Sequence, residues 1–258
     1  MKIEILIKKE NYNDLLSKLE ETSKIDDVLK IKIDKENVLL YSTEGVQSVL
    51  ALKSFQLKTK DYFIGYENEF TTDFVILSSP KLIKNLKVFT DNDVKFEIEG
   101  RLNEDDKSLE VRSCRFSLNR IRLQWIGGEQ SKIRDINSEI LSSRLDLRNK
   151  KWNFLCSNEN FSTIKKLSTL NSSSNPDDRL ITINVEDGDV IFSEKSKWDI
   201  EVDKISTKSA KITFNKKYLS YINIDTNFET IEFNVFETFL LIKSKESNLM
   251  LSFEQNFD

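Results

Sequence analysis

Residues 10–19 read ENYNDLLSKL and residues 159–167 read ENFSTIKKL, and the fold turns on why one chain carries both. The residues ahead of each sharpen the question. Ile3, Ile5 and Ile7 alternate before the first, and Trp152, Phe154 and Cys156 alternate before the second, at the same offset of 149 positions. An alternating apolar run marks a half-buried strand, and the run after each has helical spacing. A strand-then-helix unit is therefore written twice.

The repetition continues. LKIKI (29–33) and VLL (38–40) around DKEN match ITINV (181–185) and VIF (190–192) around EDGD, now at an offset of 152. Both pairs predict hairpins with short polar turns. The extra residues fit a longer loop at NSSSNPDD (171–178), which holds Pro176. A second helix follows in each half: SPKLIKNLKVF (79–89), with Ser79 as cap and Pro80 at its first position, and NKKYLSYIN (215–223), with Asn215 as cap. Each is preceded by an apolar strand (DFVIL, AKITF) and followed by an alternating one (VKFEI, IEFNV). LEVRSCRFSL (109–118) and FLLIKSKESNLMLSF (239–253) close the halves. A connector is expected over 127–150. The expected class is α+β, in two tandem domains, 1–134 and 135–258, each an antiparallel sheet with two short helices on one face.

The composition narrows the chemistry. The chain has 258 residues, 32% charged and 38% hydrophobic, which suits two ordinary domains. It has no histidine, which excludes histidine triads, metal ligands and proton shuttles. Six glycines form no phosphate-binding loop. The carboxylates are dispersed, so neither a catalytic pair nor a metal site is expected, and no cofactor. Cys114 and Cys156 suit a reducing compartment, with Cys156 read as a buried, inert thiol. With no membrane-length apolar run and no leader, a cytoplasmic location is expected.

The helices differ from the chain in charge. The whole carries −4, yet 79–89 holds three lysines and no acid, and 215–223 holds two lysines and no acid. At about 100° per residue, Leu82, Ile83, Leu86 and Phe89 share one face of their helix, with Lys81, Lys84 and Lys87 opposite. Lys166, Lys216 and Lys217 likewise lie away from Phe161, Ile164, Ser168, Tyr218, Leu219 and Ile222. Two readings are open: ordinary solvated helix faces, or one surface meeting a polyanion. The first helix departs from the pattern, with Glu10, Asp14, Glu20 and Glu21 around Lys18.

This ordered pattern, occurring twice and ending in ESNLMLSFEQNFD, resembles the trimeric DNA sliding clamps: the PCNA family and, most of all, the T-even phage clamps. The resemblance implies a closed homotrimeric ring with helices lining the hole and sheets outside. Such a ring encircles double-stranded DNA without reading sequence, serves a DNA polymerase and a clamp loader, and performs no catalysis. It implies that Lys81, Lys84, Lys87, Lys166, Lys216 and Lys217 face phosphates. It implies a partner-peptide pocket near Val46, Val49, Trp125, Ile126 and Phe253. It places the subunit edges at the strands carrying Val111 and Leu118, and Val190, Ile191 and Ser193. The alternative is a non-enzymatic structural ring or virion component built from two β-rich repeats.

Overall fold

The structure is a computed structural model and describes residues 1–44, 51–89, 92–105, 107–128, 146–170, 179–195, 197–222, 230–244 and 247–253. Val46, Val49, the 171–178 loop and the 134/135 boundary lie outside them. The chain divides into two compact units, Met1–Glu44 with Lys53–Asn137, and Gly45–Leu52 with Ser138–Asp258.

In the first unit, β1 (Lys2–Ile7) buries Ile3, Ile5 and Ile7, as its alternation requires. Helix α1 (Lys9–Thr22) buries Tyr12, Leu15, Leu16 and Leu19, a stripe at helical spacing. There follow β2 (Leu29–Ile33), β3 (Asn37–Glu44), β4 (Ala51–Lys58), the one-turn α2 (Thr59–Tyr62) and β5 (Phe63–Ile64). The unit is completed by β6 (Thr71–Ile76), α3 (Ser79–Leu86), β7 (Val94–Asn103), β8 (Ser108–Leu118) and β9 (Ile121–Ile126). The DKEN turn closes as expected: the Asp34 carboxylate accepts from the Glu36 and Asn37 amides at 2.7 Å each.

Sheet order in this unit is β4-β3-β2-β6-β8-β7-β1-β5, with β9 on β8. The expectation of a purely antiparallel sheet fails at one place. Thr71–Asp73 of β6 run parallel to Ser108–Glu110 of β8. This join links two β-α-β-β-β halves, so the repeated motif is half the size that the sequence suggests. Gly100 sits at the bulge between β7 and β8, where a Cβ would lie 2.2 Å from the Glu110 carbonyl oxygen.

The second unit repeats this order with β10 (Trp152–Ser157), α4 (Asn158–Leu170), β11 (Leu180–Glu186), β12 (Asp189–Glu194) and β13 (Trp198–Lys204). Then come β14 (Ser209–Asn215), a 3₁₀ segment (Lys216–Tyr221), β15 (Thr230–Val235), β16 (Phe239–Ser244) and β17 (Ser247–Ser252). Its strands form two runs rather than one sheet, β10-β15-β16-β17 and β13-β12-β11-β14. Aromatic packing joins them. Phe154 stacks on Phe233 at 4.7 Å, and Phe192 of β12 meets both edge-on, at 5.9 and 5.6 Å. Asp187 and Gly188 both have positive φ, as the tight β11–β12 turn requires.

Two helix details differ from expectation. NKKYLSYIN forms a 3₁₀ segment, although its buried face and its cap, the Asn215 side chain accepting from Lys217, are as read. Ser79 is the first helical residue of α3. Ser78 holds the cap position in a left-handed conformation, and no side chain caps the helix.

Candidate nucleic-acid interface

In each unit the two longest helical elements are joined to each other. The buried Tyr12 hydroxyl of α1 donates to the Leu86 carbonyl at the end of α3, 2.8 Å away. In the other unit, the Lys165 ammonium of α4 donates to the Ile222 carbonyl just after the 3₁₀ segment, also at 2.8 Å. Tethering at these ends fixes which faces stay outside. On α3, Leu82, Ile83, Leu86 and the following Phe89 are at most 3% exposed, while Lys81, Lys84 and Lys87 are exposed. On α4, Phe161 and Ile164 are buried and Lys166 is exposed.

The electrostatics separate these lysines from those on the opposite sheet face. There, cations and acids cross-link: Lys2 pairs with Glu97 at 2.6 Å, Lys95 with Glu4 at 2.8 Å, and Arg115 approaches Glu97 at 3.5 Å. The Lys2 hydrogen bond holds the Glu97 carboxyl below its ordinary range. Among the described residues, Lys81, Lys84 and Lys166 make no ion pair. An ammonium without an internal counter-ion is a point charge available to a polyanion.

The remaining predicted lysines divide. Lys87 pairs with Glu20 of α1 at 2.9 Å, both half exposed, an arrangement of small energetic weight. Lys217 is exposed, with its ammonium 4.8 Å from the Tyr218 ring centre. Lys216 is a correction: its side chain is 13% exposed and its ammonium lies 2.8 Å from the buried Glu194 carboxylate. Helical spacing put it outside, but an internal acid captures it.

The acids of α1 are engaged too. Asp14 accepts from Lys18 and from the Tyr62 hydroxyl, both at 2.5 Å. Glu20 holds Lys87, and Glu21 holds the fully buried Lys53 at 3.1 Å. Much of the acidity that set this helix apart is spent within its own unit.

The predicted subunit edges require correction. Val111 and Leu118 lie on β8, which has β7 along one side and β6 and β9 along the other. Val190, Ile191 and Ser193 lie on β12, between β11 and β13. Neither strand is an edge. Among the described residues β5, β10 and β14 are paired on one side only, and so are the neighbours of these two strands, β9 and β13. Sequence reasoning missed both, though each alternates: Ile121, Leu123, Trp125 and Trp198, Ile200, Val202. Their outward positions differ in sign, with Arg120 and Arg122 at β9, and Asp199 and Glu201 on β13.

Of the expected pocket residues, Trp125 and Ile126 lie in the first unit and Phe253 in the second, and Val46 and Val49 lie outside the described residues. Trp125 and Ile126 belong to β9, not to a connector, and as neighbours in a strand they point to opposite faces. Trp125 packs against the first unit's core, and Ile126 is 77% exposed. Phe253 is half-buried just after β17, its amide donating to the Thr238 carbonyl. An apolar cavity under α1, lined by Tyr12, Leu16, Phe74 and Leu82 among others, measures about 30 Å³. A metabolite pocket is roughly 300 Å³ or more. Burial pushes the Cys114 thiol up and takes Cys156 to about 12, aided by Asp203, so both stay protonated at neutral pH. No group of three metal-ligating side chains occurs among the described residues.

No protein-family model matches the chain, and no curated protein matches it. Solved structures do. It is similar to DNA polymerase III subunit beta from Borrelia burgdorferi, with TM-score 0.72 and 9% identity, over 98% of this chain and 65% of that one. It is similar to a DnaN sliding clamp from Pseudomonas aeruginosa, with TM-score 0.68 and 10% identity, over 100% of this chain and 66% of that one. It is similar to a Helicobacter pylori beta clamp bound to DNA ligase peptide, with TM-score 0.69 and 11% identity, over 100% and 68%. The fold is that of the sliding clamps, α+β with tandem domains. The chain spans about two thirds of the length of these proteins. They are bacterial beta subunits, whereas the sequence resemblance pointed to the trimeric and phage branch.

Proposed function

We propose that this chain is a subunit of a DNA sliding clamp, a non-catalytic ring that encircles duplex DNA and tethers a polymerase. The observation that carries the reading is the asymmetry of charge on a clamp fold. Among the described residues, Lys81, Lys84 and Lys166 on the helix side stand without internal counter-ions, while Lys2, Lys95 and Arg115 on the opposite sheet face are matched by Glu4 and Glu97. Helices crossing a duplex would bring Lys81, Lys84, Lys166 and Lys217 to phosphates. Such contacts carry no sequence information and weaken steeply with salt. A ring held on by topology needs no more affinity than that.

Head-to-tail closure would join β9 of one copy to β13 of the next, a heterologous contact that extends a sheet across the joint and removes both edges. Two units per chain suit a homotrimer, the phage-like arrangement, loaded by a clamp loader in the cytoplasm of a cell or of a phage host. The partner peptide would seat near Val46, Val49 and Phe253. The test combines solution mass, retention on circular against linearised DNA, and polymerase product length on primed templates. A ring that slides off linear ends and lengthens products is expected, with Val49→Glu abolishing the lengthening in an intact ring. Equal retention on both DNA forms, or no stimulation of any polymerase with its loader, would overturn the reading.

A further inference from the structure

Lys216 and Lys217 are adjacent and identical in type, yet the structure uses them differently. Glu194 ends β12 and is 1% exposed. One carboxylate oxygen accepts from the ammoniums of Lys216, at 2.8 Å, and Lys197, at 3.0 Å. The other accepts from the Trp198 indole N–H at 3.1 Å. Trp198 is the first residue of β13, and Lys216 follows directly on the last residue of β14. In the order β13-β12-β11-β14, these strands are the two opposite margins of one sheet. Lys216 therefore reaches past the end of β11 to meet Glu194, and the carboxylate clips both margins together at that end.

We propose that Glu194 is a positioning residue that couples the helix-side segment Lys216–Tyr221 to the edge strand β13, with Lys216 serving the edge and Lys217 serving the DNA. The inference rests on the proposed clamp reading for what the edge and the segment contact. The coupling itself lies within one unit and can be measured without a ring. Burial acts to raise the Glu194 carboxyl, but the hydrogen bonds from Lys216 and Lys197 outweigh it and leave it lowered, which keeps the acceptor charged. A charge taken from Lys216 leaves Glu194 with Lys197 and Trp198 as its partners, beside the ladder that joins β13 to β12. A hydrogen bond to a charged group contributes enough that its loss should speed opening of the strand roughly tenfold.

The experiment compares Lys216→Met, Lys217→Met and Glu194→Gln with wild type. It reads amide hydrogen exchange along β13, Trp198 emission, the subunit dissociation constant and DNA retention. Lys216→Met and Glu194→Gln should each speed β13 exchange about tenfold, shift Trp198 emission and raise the dissociation constant by a similar factor. Combining the two should add little to either, because both break one node. Lys217→Met should leave β13 and assembly unchanged and lower DNA retention alone. Unchanged exchange and emission in Lys216→Met would overturn the coupling, as would full additivity in the double variant. If wild type proves monomeric, the clamp reading fails, while β13 exchange and Trp198 emission still decide the coupling.

Discussion

The Tyr12 hydroxyl lies 2.8 Å from the Leu86 carbonyl oxygen, joining two helices 74 residues apart in sequence. Leu86 is the last residue of α3, where carbonyls lose their helical partners. The tyrosine satisfies one of them from outside. The Phe89 amide also donates to this carbonyl, at 3.0 Å, so Tyr12→Phe should cost one hydrogen bond without orphaning the acceptor, about 1 kcal/mol, with the ring still packed. Urea denaturation of the two proteins measures the difference. Equal midpoints would mean that water replaces the hydroxyl.

The lysines of α3 should not contribute equally to DNA retention. Lys81 and Lys84 are exposed and Lys87 is shared with Glu20. Alanine at 81 and 84 together should lower the slope of log affinity against log salt by roughly two, about one per lysine. Alanine at 87 should lower it by less, and Glu20→Gln should raise retention by freeing that lysine. The same loss at all three positions would show that the Glu20 pair does not persist in solution.

Assembly should respond to charge at the two edge strands. Arg122→Glu on β9 places an acid on the strand that would meet Asp199 and Glu201 of β13. Either Arg122→Glu or Glu201→Arg alone should weaken association about tenfold, and the two together should restore much of it. Sedimentation equilibrium at low and high salt reads the outcome. Unaltered association in both single variants would remove β9 and β13 from the joint.

The Glu194 node also sets a pH dependence. Its carboxyl is lowered in the folded chain, so its contribution is full above the unfolded value of about 4.3 and is lost as pH falls through the lower folded value. Wild type should exceed Glu194→Gln in stability at neutral pH, and the gap should close below about pH 4. A gap that stays constant through the acid range would show that packing, not charge, accounts for it.

For most segments the periodicities alone settled what the segment is and which face it buries. Ile3, Ile5 and Ile7 alternate and are buried; Leu82, Ile83 and Leu86 recur at helical spacing and are buried. These signals are local, because a strand repeats every two residues and a helix every 3.6. The doubled order of elements followed from them, and the resemblance to the sliding clamps rested on that order. Two kinds of property were decided only by the folded chain. One is edge status. Val111 and Ile191 are as strand-like as Leu123 and Ile200, but β8 and β12 acquire partners on both sides through distant pairings, such as Thr72 with Leu109. The other is which charges remain available. Lys84 and Lys216 look alike on a helical wheel, and Lys216 is withdrawn by an acid 22 residues away on another strand. Periodicity places a side chain on a face of its own element, whereas pairing depends on what the chain brings opposite it.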